Sequence, residues 1–206
     1  MKRNFSLLAL VMIFVSLLFL QSCGGLKFSE GDFNFMKGEN VLNVEYDYSN
    51  MGVGKYENEK DYVDKKVADM NESEAGKGDK WAGNWKNDRT TRFQPAFEAM
   101  MERYFSKKDW KMSANPNAKY TLIFKTTHTE PGFNIGIMRK PANISAEAIF
   151  VETKNKQKVM AKILMEEING GDPTGGWGFD FDTGLRIEAA YRECGRRLGK
   201  FLISQE

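Results

Sequence analysis

Residues 144–168 read ISAEAIFVETKNKQKVMAKILMEEI and contain two segments with a strand-like pattern. Apolar and polar residues alternate on both sides of a polar segment, residues 154–157. A period of two is typical of a β-strand that buries one face. The sequence therefore predicts strands over residues 144–152 and 158–168, joined as an antiparallel hairpin.

Two earlier segments show the same alternation. Residues 41–48 place Leu42, Val44 and Tyr46 on one face, with polar residues between them. Residues 119–128 alternate in the same way, again with one apolar face. Together with the hairpin, these segments predict about four strands that share one buried face.

Three segments have helical periodicity. Residues 57–73 form a charged, weakly amphipathic pattern, and apolar residues recur at three and four from Phe93 to Tyr104, with Pro95 in the first turn. Residues 183–204 carry a longer apolar stripe. The order of elements predicts an α+β fold with two layers, in which a mostly antiparallel sheet of about four strands carries helices packed on one face.

The N-terminus has the composition of a secretory signal peptide. Lys2 and Arg3 precede an apolar run over residues 5–20, and small residues follow it around Cys23. The run is shorter than the ~20 residues that a helix needs to cross a bilayer core. A cleaved signal peptide is therefore expected, and not a transmembrane helix.

The residues Leu20-Gln21-Ser22-Cys23 resemble the lipobox of bacterial lipoproteins. The resemblance implies that residues 1–22 are removed and that Cys23 is acylated and becomes the first residue. Residues 23–40 are then the acylated cysteine and a tether, and residues 41–206 are a single α+β domain. Within the tether region, the alternation around residues 33–35 also allows an edge strand.

Charge and cysteine content narrow the function further. The chain has a formal charge of +2, and the predicted signal peptide carries Lys2 and Arg3, so the remaining chain is near neutrality. Basic and acidic residues are interspersed along the chain, whereas a nucleic-acid-binding protein usually carries a basic patch. The sequence therefore argues against a nucleic-acid partner. With Cys23 acylated, Cys194 has no intramolecular disulfide partner, and its place on the last apolar stripe predicts that it is buried.

Motifs for catalysis are weak. His128 is the one histidine in the chain and lies at the end of a predicted strand, with no nucleophile-elbow motif to accompany it. Residues 52–55, Gly-Val-Gly-Lys, resemble a phosphate-binding loop, but Glu57 stands where a dinucleotide site requires a third glycine. These residues predict a turn, and no cofactor is expected.

A glycine-rich loop over residues 170–182 is the best metal candidate. Asp172, Asp180 and Asp182 could supply oxygen ligands to calcium, although their spacing differs from that of an EF-hand. The alternative is that Asp182 or Thr183 caps the last helix. No metal is expected here beyond this calcium candidate.

A second loop, predicted over residues 76–90, carries Trp81 and Trp85. Two interpretations remain open: the indoles plug an open end of the sheet, or they form an exposed surface that stacks on a sugar or contacts a partner. The expected contact surface consists of Trp81, Trp85, Asp79, Asn84 and, from the later loop, Trp177.

Several segments resemble a group of uncharacterised bacterial lipoproteins: residues 78–81, Trp85 to Phe93, 131–136 and 190–191. The resemblance implies no known chemistry. By the sorting rules of such proteins, Gly24 after the cysteine, in place of aspartate, implies the outer membrane. The domain is expected to face the periplasm, with surface exposure left open.

These observations lead to three hypotheses for function. The first is a lipid-anchored, non-enzymatic domain that binds or scaffolds an envelope protein. The second is a carbohydrate- or peptidoglycan-binding module that uses the loop tryptophans. The third is an enzyme of unrecognised type built around His128.

Overall fold

A computed structural model describes residues 26–171 and 181–205. The predicted signal peptide and four residues of interest lie outside the described residues: Cys23, Asp172, Trp177 and Asp180. The strands are β1 (Lys27–Gly31), β2 (Val41–Asp47), β3 (Gly52–Val53), β4 (Lys111–Ser113), β5 (Tyr120–Glu130), β6 (Phe133–Asn134), β7 (Arg139–Lys140), β8 (Asn143–Glu152) and β9 (Asn155–Asn169). The helices are α1 (Glu59–Ser73), α2 (Lys77–Asp88), α3 (Gln94–Phe105) and α4 (Thr183–Ile203).

The main sheet has seven strands in the order β1-β9-β8-β5-β2-β4, with β3 paired to β5. The predicted α+β class is confirmed. The prediction of about four mostly antiparallel strands was wrong, because β2 runs parallel to both β5 and β4, and β3 runs parallel to β5. The helical connection between β2 and β5 explains this arrangement, since it carries the chain back to the end of the sheet where β2 began.

The predicted tether is part of the fold from Lys27 onward. Strand β1 pairs antiparallel with β9, with Phe28 opposite Ile163. Phe33 is buried and contacts the rings of Trp110 and Phe150 at centroid distances of 5.4 and 5.5 Å. Burial of these aromatic side chains outweighs the flexibility that the glycine-rich composition suggested. The alternation in the sequence had placed the edge strand at residues 33–35. In the structure this strand is β1, which lies before those residues.

The prediction of a loop over residues 76–90 was also wrong. Residues 77–88 form α2, although glycine and asparagine lower its helix propensity. Trp81 and Trp85, four residues apart on this helix, pack against Tyr62 of α1 with ring centroids 5.9 and 5.3 Å away. Tertiary burial of two indoles therefore overrides the weak local preference.

Helices α2 and α3 are joined by a π-helical turn, Arg89–Phe93. The amide of Gln94 donates to the carbonyl of Arg89, five residues earlier. Pro95 follows directly, and it has no N–H and crowds the carbonyl four residues before it. The wide turn accommodates the proline, so the helical path continues from Lys77 to Phe105 without a break.

The core lies between one face of the sheet and helices α3 and α4. Phe97, Phe124 and Tyr191 are buried there, and the Tyr191 ring stacks on Phe93 at 5.1 Å. The Tyr191 hydroxyl and the Thr126 hydroxyl are 2.6 Å apart, so the one polar group of that ring has a partner. This hydrogen bond matters because a buried hydroxyl without a partner lowers the stability of the fold.

Helix α4 packs closely on α3, and this confirms the predicted burial of Cys194. Burial raises the pKa of the Cys194 thiol. The next residue, Gly195, lies against the backbone of α3: a Cβ there would stand 2.3 Å from the Phe97 carbonyl oxygen. The two helices can approach this closely only because position 195 has no side chain.

We predict that Gly195→Ala lowers the free energy of unfolding by about 1–3 kcal/mol, because the methyl group forces the helices apart. The matched control is Gly83→Ala, since Gly83 is an exposed residue of α2 and a Cβ there meets nothing within 4 Å. This control should raise stability by about 0.5–1 kcal/mol. Urea unfolding of both variants measures the difference, and equal effects would contradict the close packing of α3 and α4.

Candidate functional site

A surface cleft lies between α2, the π-helical turn and the first turn of α4. Its volume is about 770 Å³, within the range of ligand-binding pockets. Polar and aromatic side chains share the lining. The lining residues are Trp81, Asn84, Trp85, Asn87, Asp88, Thr91, Arg92, Phe181, Asp182, Thr183 and Gly184.

The helical repeat places these side chains on one face. Trp81, Asn84 and Asp88 are three and four residues apart, so they lie in a row along α2. The π-helical turn continues the row to Arg92. On the opposite side, the chain enters α4 at Asp182, and the cleft lies between these two elements.

The two indoles of α2 have different environments. Trp85 is 8% exposed, and its Nε1–H donates to Glu59 Oε1 at 2.6 Å. Trp81 is half-buried and stacks on Trp85 with centroids 5.5 Å apart. Trp85 is therefore a packed residue whose contacts are with α1, and Trp81 supplies the accessible aromatic surface of the cleft.

The charged groups in the cleft are paired with one another. The Arg92 guanidinium lies 3.2 Å from Asp88 Oδ1 and 3.1 Å from Asp182 Oδ2. Burial raises the pKa of Asp88, and Arg92 only partly opposes this shift. Burial would also raise the pKa of Asp182, but hydrogen bonds from Arg92 and from the backbone of Leu185 and Gly184 outweigh it and lower that pKa.

Asp182 also caps α4, as one of the two sequence interpretations predicted. Its Oδ1 accepts hydrogen bonds from the amides of Gly184 at 2.6 Å and Leu185 at 3.2 Å. Both of its oxygens thus have protein partners. Among the residues that the structure describes, no group of three or more His, Cys, Asp or Glu side chains is placed to hold a metal ion.

The other residues that the sequence singled out are dispersed. Asp79 is exposed on α2, accepts a hydrogen bond from Asn71 at 3.1 Å and does not line the cleft, whereas Asn84 does. Arg92 and Phe181 were missed. The spacing of four between Asp88 and Arg92 was the available signal for Arg92, whereas no pattern in the sequence brings Phe181 to this helix.

His128 and the glycines near it lie away from the cleft. His128 is half-buried on β5, opposite Gly52 of β3. A Cβ at Gly52 would stand 2.9 Å from His128 Nδ1. Gly52 therefore permits the close approach of these two strands, which accounts for a glycine there without a phosphate ligand.

We predict that Trp85→Ala lowers the free energy of unfolding by about 3–5 kcal/mol, because it leaves a cavity and removes the donor to Glu59. Trp81→Ala should cost about 1 kcal/mol, since the ring is partly exposed and loses mainly its stacking contact. Thermal and urea unfolding measure both. Similar losses for the two variants would contradict the different roles assigned to the indoles.

Comparison with known proteins supplies no role for the cleft. The chain matches no protein-family model, no curated protein and no solved structure in the comparisons made. The cleft is therefore interpreted from its own residues.

Proposed function

We propose that the chain is a lipoprotein of the bacterial cell envelope whose folded part binds or scaffolds another envelope component without catalysing a reaction. Acylated Cys23 anchors it in the outer membrane, and the domain faces the periplasm. The proposal combines the lipobox-like sequence before Cys23 with the open cleft beside α2.

The anchor is supported by the order of residues at the N-terminus. A basic start, an apolar run over residues 5–20 and small residues around Cys23 follow one another. Several acyl chains on one cysteine give stable attachment, where one chain would be marginal. None of the described helices is long and apolar enough to cross a bilayer.

We predict that Cys23→Ser abolishes incorporation of a labelled fatty acid and leaves residues 1–22 attached. Cys194→Ala is the matched control, because Cys194 is buried and should play no part in acylation. Metabolic labelling and the mass of the N-terminal peptide measure the outcome. Unchanged labelling of the Cys23→Ser variant would refute the anchor.

The cleft is the observation that carries the binding role. Trp81 and Phe181 offer apolar surface beside the exposed amides of Asn84 and Asn87. A few polar groups beside aromatic side chains are typical of a recognition site. Arg92 forms ion pairs with both Asp88 and Asp182. Carboxylates held in ion pairs are less available for acid–base chemistry, and this supports a binding role.

Crosslinking in intact cells tests this role. A photoreactive amino acid at Asn87 should capture an envelope component, and Asn84→Ala should reduce that yield several-fold with an unchanged melting temperature. The matched control position is Glu102, which is exposed on α3 outside the cleft. The same adduct from both positions, or none from Asn87, would contradict a binding role for the cleft.

A glycan is the second candidate ligand, and the position of Trp81 favours it. Its half-buried indole stands beside amide and carboxylate groups, an arrangement that suits a sugar ring. Titration of peptidoglycan fragments should then shift the tryptophan fluorescence of the unaltered chain and leave Trp81→Ala unchanged. Flat curves for both would leave an envelope protein as the proposed partner.

A further inference from the structure

The hairpin formed by β6 and β7 exposes a compact apolar tip. Phe133, Ile135, Ile137 and Met138 are 40, 62, 92 and 57% exposed. Large apolar side chains clustered in this way are unfavourable in water, and such patches mark sites of contact with a protein or a membrane. The tip contains Gly136 at a φ of +85°.

Hydrogen bonds hold the turn at the tip in a defined conformation. The Ile135 amide donates to the Met138 carbonyl at 3.0 Å, and the Gly136 amide donates to Asn134 Oδ1 at 2.8 Å. Glycine at position 136 allows the left-handed backbone of this turn. The apolar side chains are therefore presented on a defined turn.

The base of the hairpin is held by α4 and by β5. Buried Arg186 donates to the carbonyls of Pro131 and Gly132 at 3.1 and 3.4 Å. Glu130 accepts from the Gly132 amide and from Lys140 Nζ, each at 3.1 Å. These bonds fix the direction in which the hairpin leaves the sheet.

Strand register places the hairpin at the end of the sheet toward which the N-terminal end of β1 points. The hairpin enters β8 at Asn143, which pairs with Asn169, the last residue of β9. Strand β1 is antiparallel to β9 with Lys27 opposite Leu164, so the N-terminal end of β1 points toward Asn169. From Leu164 to Asn169 is roughly 17 Å along the strand.

The greatest reach of the anchor is a few ångströms less than this distance. Cys23 is four residues before Lys27, which allows at most ~14 Å of extended chain. An acyl group on Cys23 therefore holds the bilayer near the end of the sheet that carries the hairpin. The opposite end, with the turn between β8 and β9, faces away from it.

The residues after the tip suit a lipid surface. Arg139 and Lys140 are exposed and basic, directly beside the apolar side chains. Apolar residues that enter the interfacial region, flanked by cations that contact anionic headgroups, are the pattern of elements that lie on membranes. Lys140 also pairs with Glu130, and its side chain remains 51% exposed, so its charge stays accessible to headgroups.

We infer that the tip of this hairpin inserts into the bilayer that holds Cys23, as a second and non-covalent contact. This inference rests on the lipid anchor of the proposed function. With two contacts at one end of the sheet, the domain has a fixed orientation above the membrane, where a lipid tether alone would let it rotate.

Site-specific labelling of the mature chain, purified from membranes and reconstituted in phosphatidylethanolamine–phosphatidylglycerol vesicles, tests the inference. An environment-sensitive fluorophore is attached in Ile137→Cys and, as the matched control, in Lys154→Cys at the opposite end of the sheet. Both positions are exposed, and the one other described cysteine, Cys194, is buried. The melting temperature of each variant checks the fold.

At position 137 we expect a blue shift of the emission and loss of most of its intensity when the lipids carry spin labels on their acyl chains. At position 154 we expect neither. Water-like, unquenched emission at position 137 would overturn the inference, and so would a blue shift without lipid quenching, which indicates contact with a second copy of the chain. The mass of the N-terminal peptide reports acylation separately, so failure of the anchor is distinguished from failure of the hairpin contact.

Discussion

Pro95 imposes the constraint on which the arrangement of core and cleft depends. It lies within a helical path that runs from Lys77 to Phe105. Because proline has no backbone N–H, the helix accommodates it through the π-helical turn that precedes it. The hydroxyls of Thr90 and Thr91 donate to the Asn87 carbonyl at 3.2 and 3.0 Å, so this polar backbone group is satisfied at the wide turn. Turns of this kind are frequent at functional sites.

The segments of this helical path before and after the wide turn contribute to different parts of the molecule. Beyond it, Phe97, Met101 and Phe105 point into the core against the sheet. Before it, Trp81 and Asn84 line the cleft. Between them, Arg89 pairs with Glu59 and lies 4.2 Å over the Tyr48 ring, which ties α1 and the residue after β2 to the turn. A change at the turn would therefore disturb the packing and the cleft together.

Much of the fold was predictable because burial on one face leaves a period of two or of 3.6 in the sequence. The alternation at Leu42, Val44 and Tyr46 predicted β2, and the stripe through Cys194 predicted α4. The parallel pairing of β2 with β5 was not predicted. The long helical connection between them was visible in the sequence, and such a connection is what parallel neighbours require.

The cleft was less predictable, because its parts come from distant segments and from residues whose local preferences mislead. Glycine and asparagine around Trp81 indicate a loop, yet packing of the indoles on Tyr62 makes a helix. The sequence predicted that Asp182 or Thr183 caps α4, from their position before an apolar stripe, and the structure shows that Asp182 does. Its ion pair with Arg92, 90 residues earlier, has no local signal and follows only from the tertiary structure.

The first turn of α4 connects the cleft with the hairpin. Asp182 borders the cleft, and Arg186, one turn later, holds the carbonyls at the hairpin base. Cleft and hairpin thus share one support, at the end of the sheet toward which the N-terminal end of β1 points. If Cys23 is acylated, a ligand of the cleft must be reachable close to the bilayer. This favours a membrane-associated protein or a glycan near the membrane over a component that stays far from it.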